Sequence, residues 1–364
     1  MKKQFYDQLA EKSLDGELLL RPQCIEILTS KDIELLPLVD AAFTVRKKHW
    51  GRDVTIHIIN NVQNGQCSED CQYCAQSRSS KAEIDIYPMK SDDEIIKEAE
   101  AAYKSGAFRY CMVFSGKGQA ESRIEHLVGL IKEIKARYPI EVCVSPGFVT
   151  ESQAKILKNA GLNRLNHNIN TSEKYYPKIC TSHPFAKRVE TLNAAKNADL
   201  DICSGVIVGM GEGEEDVVDA ALTLRSFKNV KSIPVNFLLP IEGNAIVKAN
   251  RLTPEYCLRV LCLYRFLNPE AEIRIAAGRE YHLRDLQALA LYPASSLFMD
   301  GYLNAKGSSR TKTLQMIKDA GFTIKSDQSL DALIENEHNI NVASKNEKIQ
   351  MKRFDDLHPS FKKI

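Results

Sequence analysis

The chain has 364 residues, of which 44% are hydrophobic and 26% charged, with one Trp and a net charge of +2, the proportions of an ordinary globular protein. Near-neutral charge offers no electrostatic footprint for phosphates and argues against a nucleic-acid partner. The N-terminal run lacks the apolar core of a signal peptide, and no stretch approaches the roughly 20 apolar residues of a membrane span. Ten cysteines are too sparse for a disulfide framework, so the expected setting is a cytoplasmic, reducing compartment in which thiols stay available for metals.

Residues 1–50 read as a helical extension. Beyond them, short apolar runs alternate with longer amphipathic ones, and this alternation is the fold signal. Strands are predicted at 54–59, 108–114, 140–145, 164–169, 201–208, 233–238, 272–276 and 296–298. Helices are predicted between them at 92–104, 123–137, 151–159, 185–197, 214–227, 254–266 and 282–291. Thr253-Pro254-Glu255 is a helix start and Lys104-Ser105-Gly106 a helix stop. Eight β/α repeats predict an α/β protein with a (β/α)8 TIM barrel over 51–325, whose functional groups belong at the C-terminal ends of its strands. Residues 326–364 are polar and weakly periodic and read as a tail without chemistry.

A cysteine loop follows the first predicted strand. Cys67, Cys71 and Cys74 stand in Gln66-Cys-Ser-Glu-Asp-Cys-Gln-Tyr-Cys-Ala75, a CxxxCxxC spacing with no fourth ligand nearby. A structural zinc site closes on four ligands, and a disulfide scaffold needs even pairs in a small secreted chain. An iron–sulfur cubane ordinarily takes four cysteines. Three from one loop would leave one iron open to a small molecule, which is a catalytic position.

Strand residues alternate between the barrel interior and the helical layer. Cys111 lies in the second predicted strand, Cys143 in the third, Cys203 in the fifth and Arg274 in the seventh, all at positions that can face inward. Any one buried free cysteine is simply a small hydrophobe; three together point to a second metal centre deeper than the loop. Guanidinium is always charged and donor-only, so on the residues alone Arg274 reads as an ion-pair partner. Arg109, two residues before Cys111, shares its face and is expected to support that centre electrostatically. His167 is expected to pack in the core, on the side opposite its Asn neighbours. Cys24, Cys180, Cys257 and Cys262 fall outside the predicted strands and read as structural. Gly209-Met-Gly-Glu-Gly213 lacks the full phosphate-loop pattern and reads as a tight βα turn.

From about residue 45 to 307 the chain resembles the biotin synthase family of radical S-adenosylmethionine enzymes. The resemblance rests on Cys67-Ser-Glu-Asp-Cys-Gln-Tyr-Cys-Ala-Gln-Ser77, Arg109-Tyr-Cys-Met112, Glu141-Val-Cys-Val144, Asn166-His-Asn-Ile-Asn-Thr-Ser172, Cys203-Ser-Gly-Val-Ile-Val-Gly-Met-Gly-Glu212, Pro234-Val-Asn-Phe237 and Ile273-Arg-Ile-Ala-Ala-Gly-Arg279. The loop alone marks the superfamily; the later segments, in this order, mark the family. The resemblance implies a [4Fe-4S] cluster on Cys67, Cys71 and Cys74. It also implies an auxiliary iron–sulfur cluster on Cys111, Cys143, Cys203 and Arg274, with [2Fe-2S] the favoured type and a larger sulfur-bearing cluster the alternative, because ligand count does not fix nuclearity.

For S-adenosylmethionine it implies Tyr73 against the adenine, Asn168 and Asn170 at the ribose, and Arg188 on the methionine carboxylate. Asn168 and Asn236 would meet the ureido ring of dethiobiotin. Each has a plainer reading: Tyr73 packing on the barrel rim, the Asn side chains satisfying local backbone groups, Arg188 facing solvent from a helix. Several family members carry Asp at the position of Asn170, so the amide removes a charge there. The implied reaction inserts sulfur into unactivated C–H bonds of dethiobiotin to give biotin. No side chain abstracts hydrogen atoms, so no catalytic residue is expected and cofactors carry that step.

An electron-donor protein such as flavodoxin or ferredoxin and a homodimeric assembly are also implied. Two alternatives stand beside this reading. A different radical enzyme, of hydrogenase-maturase or methylornithine-synthase type, would not require Cys111, Cys143, Cys203 and Arg274 together. A non-enzymatic iron–sulfur or zinc protein would not cleave S-adenosylmethionine.

Overall fold

Three helices open the chain in the computed structural model, which describes residues 2–118 and 120–336: α1 (Lys2–Leu14), α2 (Arg21–Thr29) and α3 (Leu35–Trp50). The alternation then runs β1 (Asp53–Asn61), α4 (Asp92–Lys104), β2 (Arg109–Val113), α5 (Glu121–Arg137), β3 (Glu141–Ser145), α6 (Glu151–Asn159), β4 (Arg164–Asn166) and α7 (Phe185–Asn197). The fifth strand comes in two pieces, β5 (Ile202–Cys203) and β6 (Val206–Val208), and is followed by α8 (Glu214–Arg225), β7 (Val230–Phe237), α9 (Pro254–Leu267) and β8 (Glu272–Ile275). The chain ends its described course with α10 (Arg279–Leu283), α11 (Gln287–Ala290), β9 (Ser296–Met299), α12 (Arg310–Asp319), β10 (Thr323–Ile324) and α13 (Leu330–Asn336).

All ladders between these strands are parallel. The order β1-β2-β3-β4-β5-β7-β8-β9 returns to β1, so the eight predicted runs close into a barrel, with β6 extending the fifth stave along β7. The break between β5 and β6 falls at Gly205, where a Cβ would collide with the Pro234 carbonyl oxygen. Only glycine allows the two strands to approach so closely there.

Local signals explain the helix starts. The Ser91 Oγ accepts from the Glu94 amide at 3.3 Å while the Glu94 carboxylate accepts from the Ser91 amide at 3.0 Å, a reciprocal cap on α4. Thr253 Oγ1 accepts from the Tyr256 amide at 3.1 Å with Pro254 in the first turn of α9. The predicted helix 282–291 is instead broken into α10, a short 3-10 turn and α11, because Arg284 takes a left-handed φ of 50°. β10, which pairs Thr323 and Ile324 with Asp53 and Val54, was not among the predicted strands; two residues are too few to carry a period-two pattern.

The N-terminal helices pack under the barrel, α1 and α3 against α9 and α2 against α8 and α9. Arg46 ties α3 to the N-terminal rim by donating to the carbonyls of Ala294 at 3.0 Å and Asp53 at 2.7 Å. Burial pushes its guanidinium pKa down to about 10. Within the segment read as a tail, Leu333 of α13 is buried; residues 337–364 lie outside the described residues. Among the described residues no helix is long and apolar enough to cross a membrane.

Strand alternation decides what reaches the barrel interior. On β2, Tyr110 points outward and its hydroxyl donates to the Ile95 carbonyl of α4 at 3.0 Å, while Arg109 and Cys111 point inward. Replacing Tyr110 with Phe removes that bond and a second contact from the Asn60 amide without changing the inner face. The expected cost is about 1–2 kcal/mol, read as a lower urea midpoint with unchanged iron binding.

Candidate active site

A cavity of about 380 Å³ opens at the C-terminal ends of the strands, with Cys67, Cys71, Cys74, Cys111, Cys143 and Arg274 in its wall. Tyr73, Asn168, Asn170, Arg188 and Asn236 line it as well. Cys203 stands just behind the wall, buried beside Arg274. The cluster, cofactor and substrate residues expected from the sequence therefore converge on one end of the barrel, at two depths.

The upper level is the cysteine loop that follows β1. Its backbone is held by bonds from the Cys67 amide to the Gln76 carbonyl at 3.1 Å and from the Arg78 amide to the Glu69 carbonyl at 3.0 Å. The loop is also latched to residues 179–183. The Gln72 amide donates to the Ile179 carbonyl at 2.9 Å, and the Asp70 carboxylate accepts from the Thr181 and Ser182 amides, both at 3.0 Å. Ser182 Oγ donates to Glu69 Oε2 at 2.6 Å, and His183 Nδ1 contacts the same oxygen. Burial opposes ionisation of Asp70, but the Thr181 hydroxyl and the two amides hold its carboxyl well below the usual range.

Cys180, which the sequence assigned a merely structural role, is part of this latch. Its Sγ lies 3.8 Å from Cys71 Sγ and 3.3 Å from Asp70 Oδ1. Within the pair, Cys180 is the more acidic, because it accepts from the Cys71 thiol and lies beside His183 and Ser182; the same bond and burial push Cys71 up. The ligand atoms of Glu69, Cys180 and His183 come within 4.8 Å of one another, yet His183 is already engaged by Glu69 and by the Tyr176 hydroxyl at 2.7 Å. The trio reads as a clasp on the loop.

The lower level is set by register. Ile59 pairs with Cys111 and Cys111 with Cys143, while Cys203 pairs with Asn166 across the next ladder, so the three thiols fall in one inward layer packed by Ile59, Val113, Phe298 and Leu303. Hydrogen bonds link Cys143 to Cys111 and Cys203 and, with burial, push its thiol up. The bond from Cys143 and then the nearby Arg274 outweigh burial and hold Cys203 well below the usual thiol range. Arg274 Nη1 donates to Cys203 Sγ at 3.4 Å.

Beneath this layer lies a charged floor that sequence reasoning missed in part. Glu272 is fully buried; its Oε1 is 2.5 Å from Arg274 Nη2 and 2.7 Å from His57 Nε2, and its Oε2 is 3.1 Å from both Arg109 Nη1 and Arg164 Nη1. Burial works against its charge, but Arg109, His57, Arg274 and Arg164 hold the carboxyl well below its usual range. His57 is driven the other way, towards the neutral form, by burial and then by Arg274. Arg109 takes the expected face and also binds Glu141 at 2.5 Å. Arg274 is thus an ion-pair partner, as its chemistry suggests, and a thiol neighbour too. Glu272 and Arg274 lie two apart on one strand, so alternation places both inward, and that was the available signal.

The remaining polar residues divide in two. Asn236 donates to the Val206 carbonyl at 2.9 Å and accepts from the Ala277 amide at 3.1 Å, and Asn168 accepts from the Gly205 amide at 2.9 Å; both satisfy strand-end backbone while lining the cavity. Arg188 is not solvent-facing. It is held by the Asn168 carbonyl at 2.9 Å and by the Tyr176 hydroxyl. Asn170 sits at a left-handed φ of 70°, a conformation Asn tolerates better than most residues. His167, expected to pack away from the site, lies in the cavity wall against Phe148, ring centroids 5.3 Å apart. Gly209 and Gly211, with φ of 101° and 110°, form the expected turn, closed by Glu212 on the Gly209 amide at 2.6 Å.

Both cysteine sets suit iron–sulfur clusters. All six thiols are free, and thiolates are the ligands such clusters take. Among the described residues, Ser115 Oγ, His167 Nε2, Asn170 Nδ2 and Arg274 Nε are buried without a hydrogen-bond partner, and all four residues line the cavity. Orphaned donors and acceptors of this kind mark a cavity made for a polar occupant.

Residues 63–224 match the radical SAM superfamily and residues 234–323 the Biotin and Thiamin Synthesis associated domain. A biotin synthase from Magnetococcus marinus is 53% identical over 317 residues, 87% of this chain and 98% of that protein. The chain belongs to the biotin synthase family. Another biotin synthase, from Acaryochloris marina, is 52% identical over 317 residues, 87% of this chain and 91% of that protein. Solved structures of an FeFe-hydrogenase maturase from Carboxydothermus hydrogenoformans and of a methylornithine synthase each reach a TM-score of 0.74 at 18% identity. They cover 90% and 89% of this chain and 81% and 99% of their own, a likeness of fold. As a member of the biotin synthase family the chain is a radical SAM enzyme that uses a [4Fe-4S] cluster, S-adenosylmethionine and an auxiliary cluster.

The latch makes a prediction of its own. Because the Asp70 carboxyl is held below its unfolded pKa of about 3.9, the anchor is complete above that pH and fails only as pH falls further. Asp70→Ala removes it at neutral pH. Deuterium exchange at the Thr181 and Ser182 amides should quicken roughly tenfold, the equivalent of about 1.4 kcal/mol, and the loop cluster should lose iron faster to a chelator.

Proposed function

We propose that Cys67, Cys71 and Cys74 hold the [4Fe-4S] cluster and that Cys111, Cys143, Cys203 and Arg274 hold the auxiliary cluster, of [2Fe-2S] type, in an enzyme that converts dethiobiotin to biotin. One observation carries this reading: two separate sets of three free thiols stand at two depths of one end of the barrel, five of the six in the wall of a single cavity and Cys203 just behind it. When bound, these groups supply a 5′-deoxyadenosyl radical from S-adenosylmethionine and the sulfide that joins the two carbons of dethiobiotin.

The side chains bind, aim and keep water out. Tyr73, half-buried at the mouth, offers its ring face to the adenine. Arg188 offers a planar fork to the methionine carboxylate, already aimed by its bonds to Asn168 and Tyr176. Asn168 and Asn170 serve the ribose, and Asn168 and Asn236 the ureido ring. The apolar collar of Ile59, Val113, Phe298 and Leu303 around the deep thiols keeps that end dry. Positioning is the protein's main contribution, since reacting atoms must meet at roughly 3–3.5 Å.

The barrel over 51–325 is the catalytic unit, with 1–50 as an extension and 326–364 as a tail. A homodimer, a cytoplasmic setting in which the ten cysteines stay reduced, and an electron donor of the flavodoxin or ferredoxin class complete the reading.

An anaerobic assay of biotin formed from dethiobiotin, with iron and sulfide counted in the same sample, tests it directly. Two clusters per chain and biotin are expected; a single cluster without biotin refutes the reading. Cys67→Ala should abolish reductive cleavage of S-adenosylmethionine, whereas Cys203→Ala should retain part of that cleavage and lose biotin formation. Equal loss of both would remove the division of labour. Arg188→Lys keeps the charge but loses the fork, so the Kd for S-adenosylmethionine should rise about tenfold, the loss of one charge-assisted hydrogen bond, as measured by equilibrium dialysis.

A further inference from the structure

Nothing in the binding roles above calls for an acid under the deep thiols, yet Glu272 is there, fully buried at the start of β8. Its oxygens meet His57, Arg274, Arg109 and Arg164, and Oε1 also accepts from Ser232 Oγ at 3.2 Å. One carboxylate does not neutralise three guanidinium groups. Counting Glu141 on Arg109, the arginines and carboxylates of the floor bring three positive charges and two negative ones. A surplus positive charge therefore underlies three thiols.

The same contacts fix the orientation of Arg274. Nη2 is engaged by Glu272 at 2.5 Å and Ser232 Oγ at 2.6 Å, Nη1 donates to Cys203 at 3.4 Å, and Nε has no partner among the described residues. A guanidinium is rigid and planar, so holding Nη2 determines where the rest of the group points.

We propose that Glu272 is the positioning residue for the sulfur-supplying end of the barrel, clamping Arg274 towards Cys203 and setting, by its charge, the reduction potential of the auxiliary cluster. This rests on the assignment of Cys111, Cys143, Cys203 and Arg274 to that cluster. Reduction adds negative charge to a cluster, and fixed charges nearby act strongly where water is excluded. Removing the Glu272 charge therefore favours the reduced form. Removing the Arg164 charge, on the far oxygen of the same carboxylate, disfavours it.

The test is a redox titration of anaerobically reconstituted full-length enzyme, followed by visible absorption and electron paramagnetic resonance, for wild type, Glu272→Gln and Arg164→Gln. The auxiliary midpoint should move to higher potential in Glu272→Gln, with an altered auxiliary absorption spectrum, and to lower potential in Arg164→Gln. The loop cluster's midpoint, the internal reference, should stay in place. A merely structural Glu272 would lower stability and leave the auxiliary midpoint unmoved in both variants, and that result overturns the proposal. Should Glu272→Gln fail to fold, Arg164→Gln decides alone, since Arg164 sits at the edge of the network with its side chain 12% exposed; an unmoved or raised midpoint overturns the proposal. A wild type that assembles only the loop cluster would overturn the ligand assignment itself, and that failure is seen before any variant is measured.

Discussion

A closed parallel barrel turns every second strand residue inward, and nothing polar that enters can reach bulk solvent except at the ends. Inward polar side chains must therefore satisfy one another. On β1, β2 and β8 this condition is met by His57, Arg109, Glu272 and Arg274, which form a single bonded group. One step further along β2 stands Cys111, packed with Cys143 of β3 and Cys203 of β5, and beyond them lies the cavity. The layered order of floor, thiols and cavity follows from strand pleat and register, with His57 opposite Arg109 and Ile59 opposite Cys111.

The upper cysteine set depends on a different kind of constraint. A loop between β1 and α4 has no ladder to hold it, and the three cysteines must still present their sulfurs to one point. Tertiary bonds supply the missing order: Glu69 and Asp70, inside the cysteine run, bind the 181–183 segment that leads into α7. The same segment feeds Arg188 into the cavity from α7 through the Tyr176 hydroxyl. Loop geometry and the orientation of Arg188 are thereby coupled through a few shared side chains.

Much of this was legible in the residues. The eight strands follow from their apolar runs, and Cys111 and Cys143 could be placed inward because alternation is a local rule. Arg109 followed for the same reason. What stayed hidden depends on pairings between distant segments. Cys180 looked structural because its only distinguishing feature is proximity to Cys71, 109 residues earlier. His57 and Arg164 acquire meaning only once β1, β4 and β8 surround one carboxylate. The broken helix after β8 was missed because a left-handed Arg284 leaves no trace in hydrophobic periodicity.

The two thiol sets differ in burial, and burial dictates what must surround them. Cys67 and Cys74 are only half-buried, so water at the mouth screens whatever charge accumulates there, and Arg188, held by the Asn168 carbonyl and the Tyr176 hydroxyl, lines the same cavity. Cys111, Cys143 and Cys203 are fully buried; thiolates there, joined by the sulfides of a cluster, would place several negative charges in a dry interior. An uncompensated charge in such a place is prohibitive. Arginine suits that demand better than lysine, because its weakly hydrated, planar head can enter the core and hold several partners at once. Three arginines around one glutamate leave a net positive charge whose extent is limited by the glutamate, and the deep site needs both.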